Sequence, residues 1–421
     1  MMPLVESNVK QLGEMLFATE SQLPFDNQTY SEKYVSRTNV TFTQADIANA
    51  TGIPLSRVKS ALAEAEKENG VPFLRDARSW HQLTQEEVIE VVKKFGIYPV
   101  EHIRESYDNY EVPVVLIHKG KGGTGKTTTA ISLATQSALD FVKSKRTLII
   151  DGDPQGSVRH FMVLTDQELS SKNCVAAIFK KYSGLKREER LSPAIQREIR
   201  DQLFVDVIFE SHIDNLWFTP ASMVDMEMLI MLSMILGKKD HTFNEAITIY
   251  KDLIITPLKN DFDIIYIDSG PACDPLTYCL YYASNFLIIP TTGRTQDFRA
   301  YQDYLKLSKM ILSHVMPSDF KGFNEIRTLI TKHQKYTEQV QRNVGKISSQ
   351  GSTYTAMIDE NKIYEEASKE QLPVQLLNTK AKAHREAVAT LNLLHSQVMK
   401  MIEPYMFPVV KKEENKQSEV A

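Results

Sequence analysis

Cysteine is scarce in this chain. Three occur among 421 residues, Cys174, Cys273 and Cys279, and no two form a C-x-x-C pair. That argues against a disulfide framework or a zinc site and makes a reducing cytoplasm the natural compartment. Long apolar runs are also missing, since none approaches the ~20 residues that a membrane span needs. The first residues lack the basic start and apolar core of a secretory signal. Excess charge of one sign is missing too. With 49 basic and 53 acidic residues the net charge is −4, so the whole molecule is not a polycation. Any nucleic-acid binding must come from local basic surfaces. What remains is a soluble globular composition, 42% hydrophobic and 24% charged, on a chain long enough for two or three domains.

The most informative stretch is Lys119 to Thr129, KGKGGTGKTTT. It follows an apolar run, Val112 to Ile117, and precedes a helix-like segment, Ala130 to Ala138. Strand, glycine loop, helix is the order of a phosphate-binding loop. Gly122, Gly123 and Gly125 let the backbone approach a phosphate chain, and the loop and helix N–H groups face the anion. Lys126 supplies a point charge for the outer phosphates, and the Thr127 hydroxyl is placed to ligate Mg²⁺. Gly120 to Thr127 satisfies G-x-x-x-x-G-K-[ST], and Lys121 adds a second lysine ahead of the paired glycines. The competing reading is an ordinary glycine-rich turn, which the flanking strand and helix disfavour.

KGGTGKTT resembles the deviant Walker A motif of the ParA/MinD class of ATPases. Two further stretches carry the resemblance in the same order: LIIDGDPQGS, Leu148 to Ser157, and DIIYIDSGP, Asp263 to Pro271, which looks like a Walker B strand. The resemblance covers about residues 112–405. It implies ATP and Mg²⁺ as cofactors, with Lys121, Gly122, Gly123, Thr124, Gly125, Lys126, Thr127 and Thr128 on the nucleotide. Lys121 would reach across a nucleotide-sandwich homodimer. Asp153 matches the family's water-orienting position, so Lys121, Lys126 and Asp153 form the catalytic set. Thr127, Asp268 and Asp151 would surround the metal. Asp268 ends an apolar strand beside the loop, where a mere turn former is the bland alternative. Asp274 is open between the metal surroundings and a helix cap. Pro290 to Arg294, PTTGR, lies where the family contacts adenine, which makes Pro290 a nucleotide-site candidate. Thr124 and Gly152 depart from the residues that many members carry.

Ahead of the ATPase, residues 1–40 contain a helix face, Val5, Val9, Leu12 and Leu16, that packs on its own domain or on a partner's copy. Residues 41–97 read as a winged helix-turn-helix. Thr43 caps a short helix over Gln44–Ala50, Thr51-Gly52-Ile53-Pro54 turns the chain, and Ser56 caps a longer helix bearing Val58, Leu62 and Ala65. Arg57, Lys59 and Ser60 stand near its start, the end that meets base edges. Pro72 to Leu83 would form a wing with Arg75, Arg78 and Trp80 near the tip, and Gln85 to Phe95 another helix. An ordinary helical domain with solvated charges is the plain alternative. Residues 98–111 form the linker.

From Val112 on, the expected fold is α/β, a doubly wound, mainly parallel sheet with helices on both faces. Its strands are placed at Val112–Ile117, Thr147–Asp151, Leu216–Thr219, Asp263–Asp268, Phe286–Pro290, Ile326–Thr331 and Tyr354–Ile358. The stretch 166–202 reads as a charged helical insert, and 406–421 as a polar tail. Lys380, Lys382, His384 and Arg385 make a basic run before the last helix, and Lys332, Lys335 and Arg342 another. In the family such late basic residues bind DNA without sequence preference, here Lys382 and Arg385; a solvated helix face is the alternative.

The resemblance implies a DNA-partition ATPase in the cytoplasm, on the nucleoid. It would dimerise with ATP, with higher-order assembly on DNA an open possibility, coat DNA, be stimulated by a ParB-type adaptor and repress its own operon. No membrane partner is expected. The alternatives are a transcription regulator with a weak or vestigial ATPase and a MinD-type positioning ATPase, the latter disfavoured by Pro404 and the mixed-charge tail. An iron–sulfur carrier needs paired interface cysteines, and Cys273 and Cys279 lack that spacing.

Overall fold

A computed structural model describes residues 40–100, 110–162, 173–236, 243–349 and 351–406. The expected N-terminal helix, most of the linker, the start of the 166–202 insert and nearly all of the tail lie outside them.

The leading unit holds α1 (Gln44–Thr51), α2 (Leu55–Asn69) and α3 (Gln85–Lys93). Thr43 starts α1 through a capping box with Asp46. Gly52 stops it at φ 72°, a left-handed conformation that glycine adopts without a Cβ penalty. The cap of α2 differs from expectation. Pro54, not Ser56, precedes the helix, and its carbonyl accepts from Arg57 and Val58. Proline's fixed φ suits a helix entrance and needs no side-chain acceptor. Ile47, Val58, Leu62, Ala65, Val88 and Val91 form this unit's core. Between α2 and α3 a small hairpin pairs Arg75 with His81, and the Asp76 carboxylate accepts from the amides of Arg78 and Trp80 at its tip.

This unit does not stand apart. Phe141 joins its core and meets Phe42 with ring centroids 4.5 Å apart. Gln85 Nε2 donates to the Ala138 carbonyl at 3.1 Å. Both contacts fall at the far end of the helix that follows the glycine loop.

The main body is a sheet of β1 (Val114–Ile117), β2 (Thr147–Gly152), β3 (Phe209–Glu210), β4 (Leu216–Thr219), β5 (Ile264–Ser269), β6 (Phe286–Thr291) and β7 (Glu325–Ile330). Their order is β3-β4-β2-β5-β1-β6-β7, parallel except for β3 on β4. Strands β1, β2, β5 and β6 are buried almost throughout, as expected of strands covered on both faces. Among the covering helices are α4 (Lys126–Ala138), α5 (Met226–Leu236), α6 (Pro275–Ala283), α7 (Thr295–His314) and α8 (Lys382–Met406). Shorter helices at Val175–Tyr182 and Pro193–Asp206 lie within the charged insert.

Two expectations fail here. Tyr354–Ile358 is not a strand. It runs beside β7, donating from Tyr354 and Ile358 to Thr328 and Ile330, but the amides of Thr355 and Ala356 bond Gln397 instead. A continuous ladder is therefore broken. The basic run Lys382, His384 and Arg385 is not ahead of the last helix but inside its first turns. The short antiparallel β3 carried no expectation at all.

Candidate nucleotide site

β1 and β5 run side by side, pairing Ile117 with Asp268, while β2 pairs Asp151 with Asp268. The carboxyl ends of three adjacent strands thus converge, where ligands bind in open α/β sheets. The loop after β1 turns through Gly123 at φ 73° and Gly125 at φ 80°. Gly125 is the residue before α4, so the loop amides and the helix N-terminus open on one concave surface. Thr331, just past β7, braces the loop by donating to the Thr124 carbonyl at 2.7 Å.

Lys126 is buried and its ammonium donates to the Lys121 carbonyl at 3.3 Å. Burial lowers its pKa, and the charges of Asp268 and Asp153 oppose that only in part. Asp268 is wholly buried, yet neither carboxylate oxygen has a hydrogen-bond partner. Burial pushes its pKa up to about 7 against the pull of the nearby Thr127 hydroxyl and the Lys126 charge. A buried carboxylate with both oxygens free beside a threonine hydroxyl is a donor set that suits a hard cation such as Mg²⁺.

Asp151 is used differently. Its two oxygens accept from the amides of Asp153 at 3.1 Å and Val158 at 3.0 Å, so the carboxylate organises the loop after β2. Burial and the Asp268 charge hold its pKa well above the usual carboxylate range. Asp153 stays partly exposed, one oxygen on the Gln155 amide, and lies against Gly270. It borders a cavity of about 280 Å³ lined also by Gln155, Gly270, Met223, Met226 and Leu229. Asp274 caps α6 through a box with Thr277. Pro290 is buried within β6. Gly152 has a local cause: a Cβ there would come within 2.9 Å of the Asp268 carbonyl.

Sequence reasoning missed Asp297, in the first turn of α7. It accepts an ion pair from Lys121, while the Thr292 hydroxyl donates to its other oxygen at 2.5 Å. Lys119, also unassigned, is fully buried and donates to Thr291 Oγ1 at 2.6 Å and to the Asp297 carbonyl at 3.3 Å. No motif marks Asp297; only the folded β6–α7 connection brings it to the loop.

A family model described as an AAA domain matches residues 112–316. Plasmid partition protein A of Escherichia coli is 26% identical over 270 residues, 63% of this chain and 62% of that protein. The sporulation initiation inhibitor protein Soj of Bacillus subtilis is 22% identical over 273 residues, 64% of this chain and 92% of that protein. A solved structure described as a partition protein superposes with a TM-score of 0.62 at 18% identity, covering 93% of this chain and 98% of that one. Over about residues 112–316 the chain is thus similar to partition proteins of the ParA type. The match spans less than two thirds of the E. coli relative's length, and the 18% likeness bears on the fold alone. That similarity agrees with the three motifs, which the structure brings together at the ends of β1, β2 and β5.

The residues expected to meet DNA are spread over two regions. Arg57 lies over the Phe95 ring, 5.5 Å from its centroid, at a groove of about 340 Å³ that includes Ser56, Ser60, Glu64 and Lys94. Lys59 and Arg78 are exposed, and Ser60 Oγ donates back to the Ser56 carbonyl. Arg75 is engaged within the unit, with Nη2 2.7 Å from Glu66. On α8, Lys382 sits 3.5 Å from Glu386 and Arg385 is exposed. Among the described residues no helix is long and apolar enough to cross a membrane.

Proposed function

We propose that this chain is a Mg²⁺-dependent ATPase that dimerises with ATP, binds DNA and segregates a replicon. The observation that carries the reading is the orphaned Asp268 carboxylate, buried against Thr127 and Lys126 at the mouth of the glycine loop. The loop amides and Lys126 would hold the β- and γ-phosphates. Thr127 directly, and Asp268 from the next strand, would hold Mg²⁺, which neutralises charge on the transferring phosphoryl group. Asp151 fixes the loop that carries Asp153, and Asp153 would orient the attacking water. Lys121 would cross to the partner's phosphates, adding positive charge where negative charge develops. Thr128 and the PTTGR segment complete the nucleotide site. An adaptor of the ParB class would stimulate turnover on DNA in the cytoplasm. Arg57, Lys59, Ser60 and Arg78 would serve an operator; Lys382 and Arg385 would serve any duplex. Arg75 would join the former only by leaving Glu66.

Lys126→Ala tests the reading. The variant removes the charge nearest the outer phosphates, so fluorescence titration with labelled ATP should show binding lost. Unchanged affinity would sink the assignment.

A further inference from the structure

Lys119 is a buried cation with no anion in contact. The residue is fully inaccessible, and its ammonium meets only neutral groups. It donates to Thr291 Oγ1 at 2.6 Å and to the Asp297 carbonyl at 3.3 Å, and it stands 5.9 Å from the centroid of the Tyr301 ring. Among the described residues no carboxylate forms an ion pair with it; the Asp297 carboxylate bonds Lys121 and Thr292 instead. Burial pulls the Lys119 pKa down to about 8; the Asp297 charge opposes this, and the charges of Lys121 and Lys126 reinforce it. At neutral pH the side chain therefore keeps its charge. A cation taken out of water without a paired anion costs the fold more than a neutral side chain of similar size. A neutral residue could fill this space, so the charge itself needs a reason.

We infer that Lys119 is a binding charge held one layer beneath the glycine loop, and that its missing counter-ion is the phosphate chain of the nucleotide. The inference rests on the reading above in which the loop holds ATP. Lys119 directly precedes Gly120 at the foot of the loop. Its charge is felt by Lys126, which faces the cradle. Within a protein an electric field carries over several ångströms that water would screen. The phosphates therefore need not touch Lys119 to be drawn by it, and their arrival compensates a charge that the fold leaves unpaired.

Lys119→Gln removes the charge and keeps a donor for Thr291; Lys119→Met removes both. An electrostatic pull grows with the charge of the ligand, so calorimetric titration should show ATP losing more affinity than ADP. For ATP the loss should be on the order of tenfold, and equal in the two variants, as for one buried charge acting through protein. Without nucleotide, Lys119→Gln should unfold at or above the wild-type Tm, because an unpaired buried charge is gone. A mere tie between loop and Thr291 behaves otherwise: its removal lowers Tm, costs ATP and ADP alike, and is relieved in Lys119→Gln. Any of those three results overturns the inference. The two layers separate cleanly. If the wild-type protein binds neither nucleotide, the reading of the site falls and the inference with it. If it binds both and Lys119→Gln matches it, only the role of Lys119 falls.

Discussion

Replacing Asp268 by asparagine should change how stability depends on pH. In the metal-free protein burial pushes the Asp268 carboxyl up to about 7 from its ordinary 3.8, and the Thr127 hydroxyl and the Lys126 charge offset this only in part. The folded state therefore holds a proton that the unfolded chain has released. The stability this contributes is complete below 3.8 and is lost as pH rises through about 7. Linkage for a single group of that pKa removes about 1.4 kcal/mol between about pH 6 and pH 8. Other groups oppose it. Burial lowers His118 to about 3 and His395 to about 4. Kept neutral in the fold, they contribute stability that grows as pH rises toward their ordinary 6.5. The wild-type profile alone therefore cannot isolate Asp268. Its difference from Asp268→Asn cancels the shared histidines and reads Asp268 together with Asp151, whose pKa the Asp268 charge helps to raise. Chemical denaturation in a chelator should show wild type losing about 1.4 kcal/mol against the variant over that interval. With Mg²⁺ and ADP saturating, the pH dependence of the difference should shrink, as the cation takes the proton's place. A difference that is the same at both pH values would refute the account of the buried carboxylate.

Three further variants have expected outcomes. Asp153→Ala should keep ATP binding and dimerisation but lose turnover in a phosphate-release assay, because Asp151 still holds the amides of residue 153 and Val158 and only the Gln155 amide loses its acceptor. Arg57→Ala should weaken binding to one operator by about 1–3 kcal/mol if Arg57 makes a bidentate base contact. Arg385→Ala should weaken binding to every duplex and flatten the salt dependence. Gel shifts on operator and random DNA would show identical effects if the two surfaces were one.

The parts of this molecule that were legible in the sequence are those in which local pattern and chemistry coincide. The glycine loop needs left-handed backbone at Gly123 and Gly125, and the apolar runs that end in Asp151 and Asp268 make the neighbouring strands legible. What escaped depends on distant partners. Tyr354–Ile358 is a short, mostly apolar run like a strand, but Gln397 of α8 takes two of its amides. Asp151 looked like a metal-shell residue, yet both oxygens bond amides that only the folded loop delivers. The Asp297 partner of Lys121 lies far along the chain and carries no motif. The docking of the leading unit on Phe141 and Ala138 is likewise a matter of surfaces meeting, and no periodicity encodes it.

The central claim is that two subunits complete each other's active site through Lys121. Lys121→Ala keeps its own Asp153, and Asp153→Ala keeps its own Lys121. Each variant alone should be inactive. In a heterodimer of the two, the subunit with an intact Asp153 would receive its lysine from the partner. ATP hydrolysis measured on the mixed variants, with heterodimers shown to form, should recover part of the wild-type rate. No recovery would mean that Lys121 acts within its own chain.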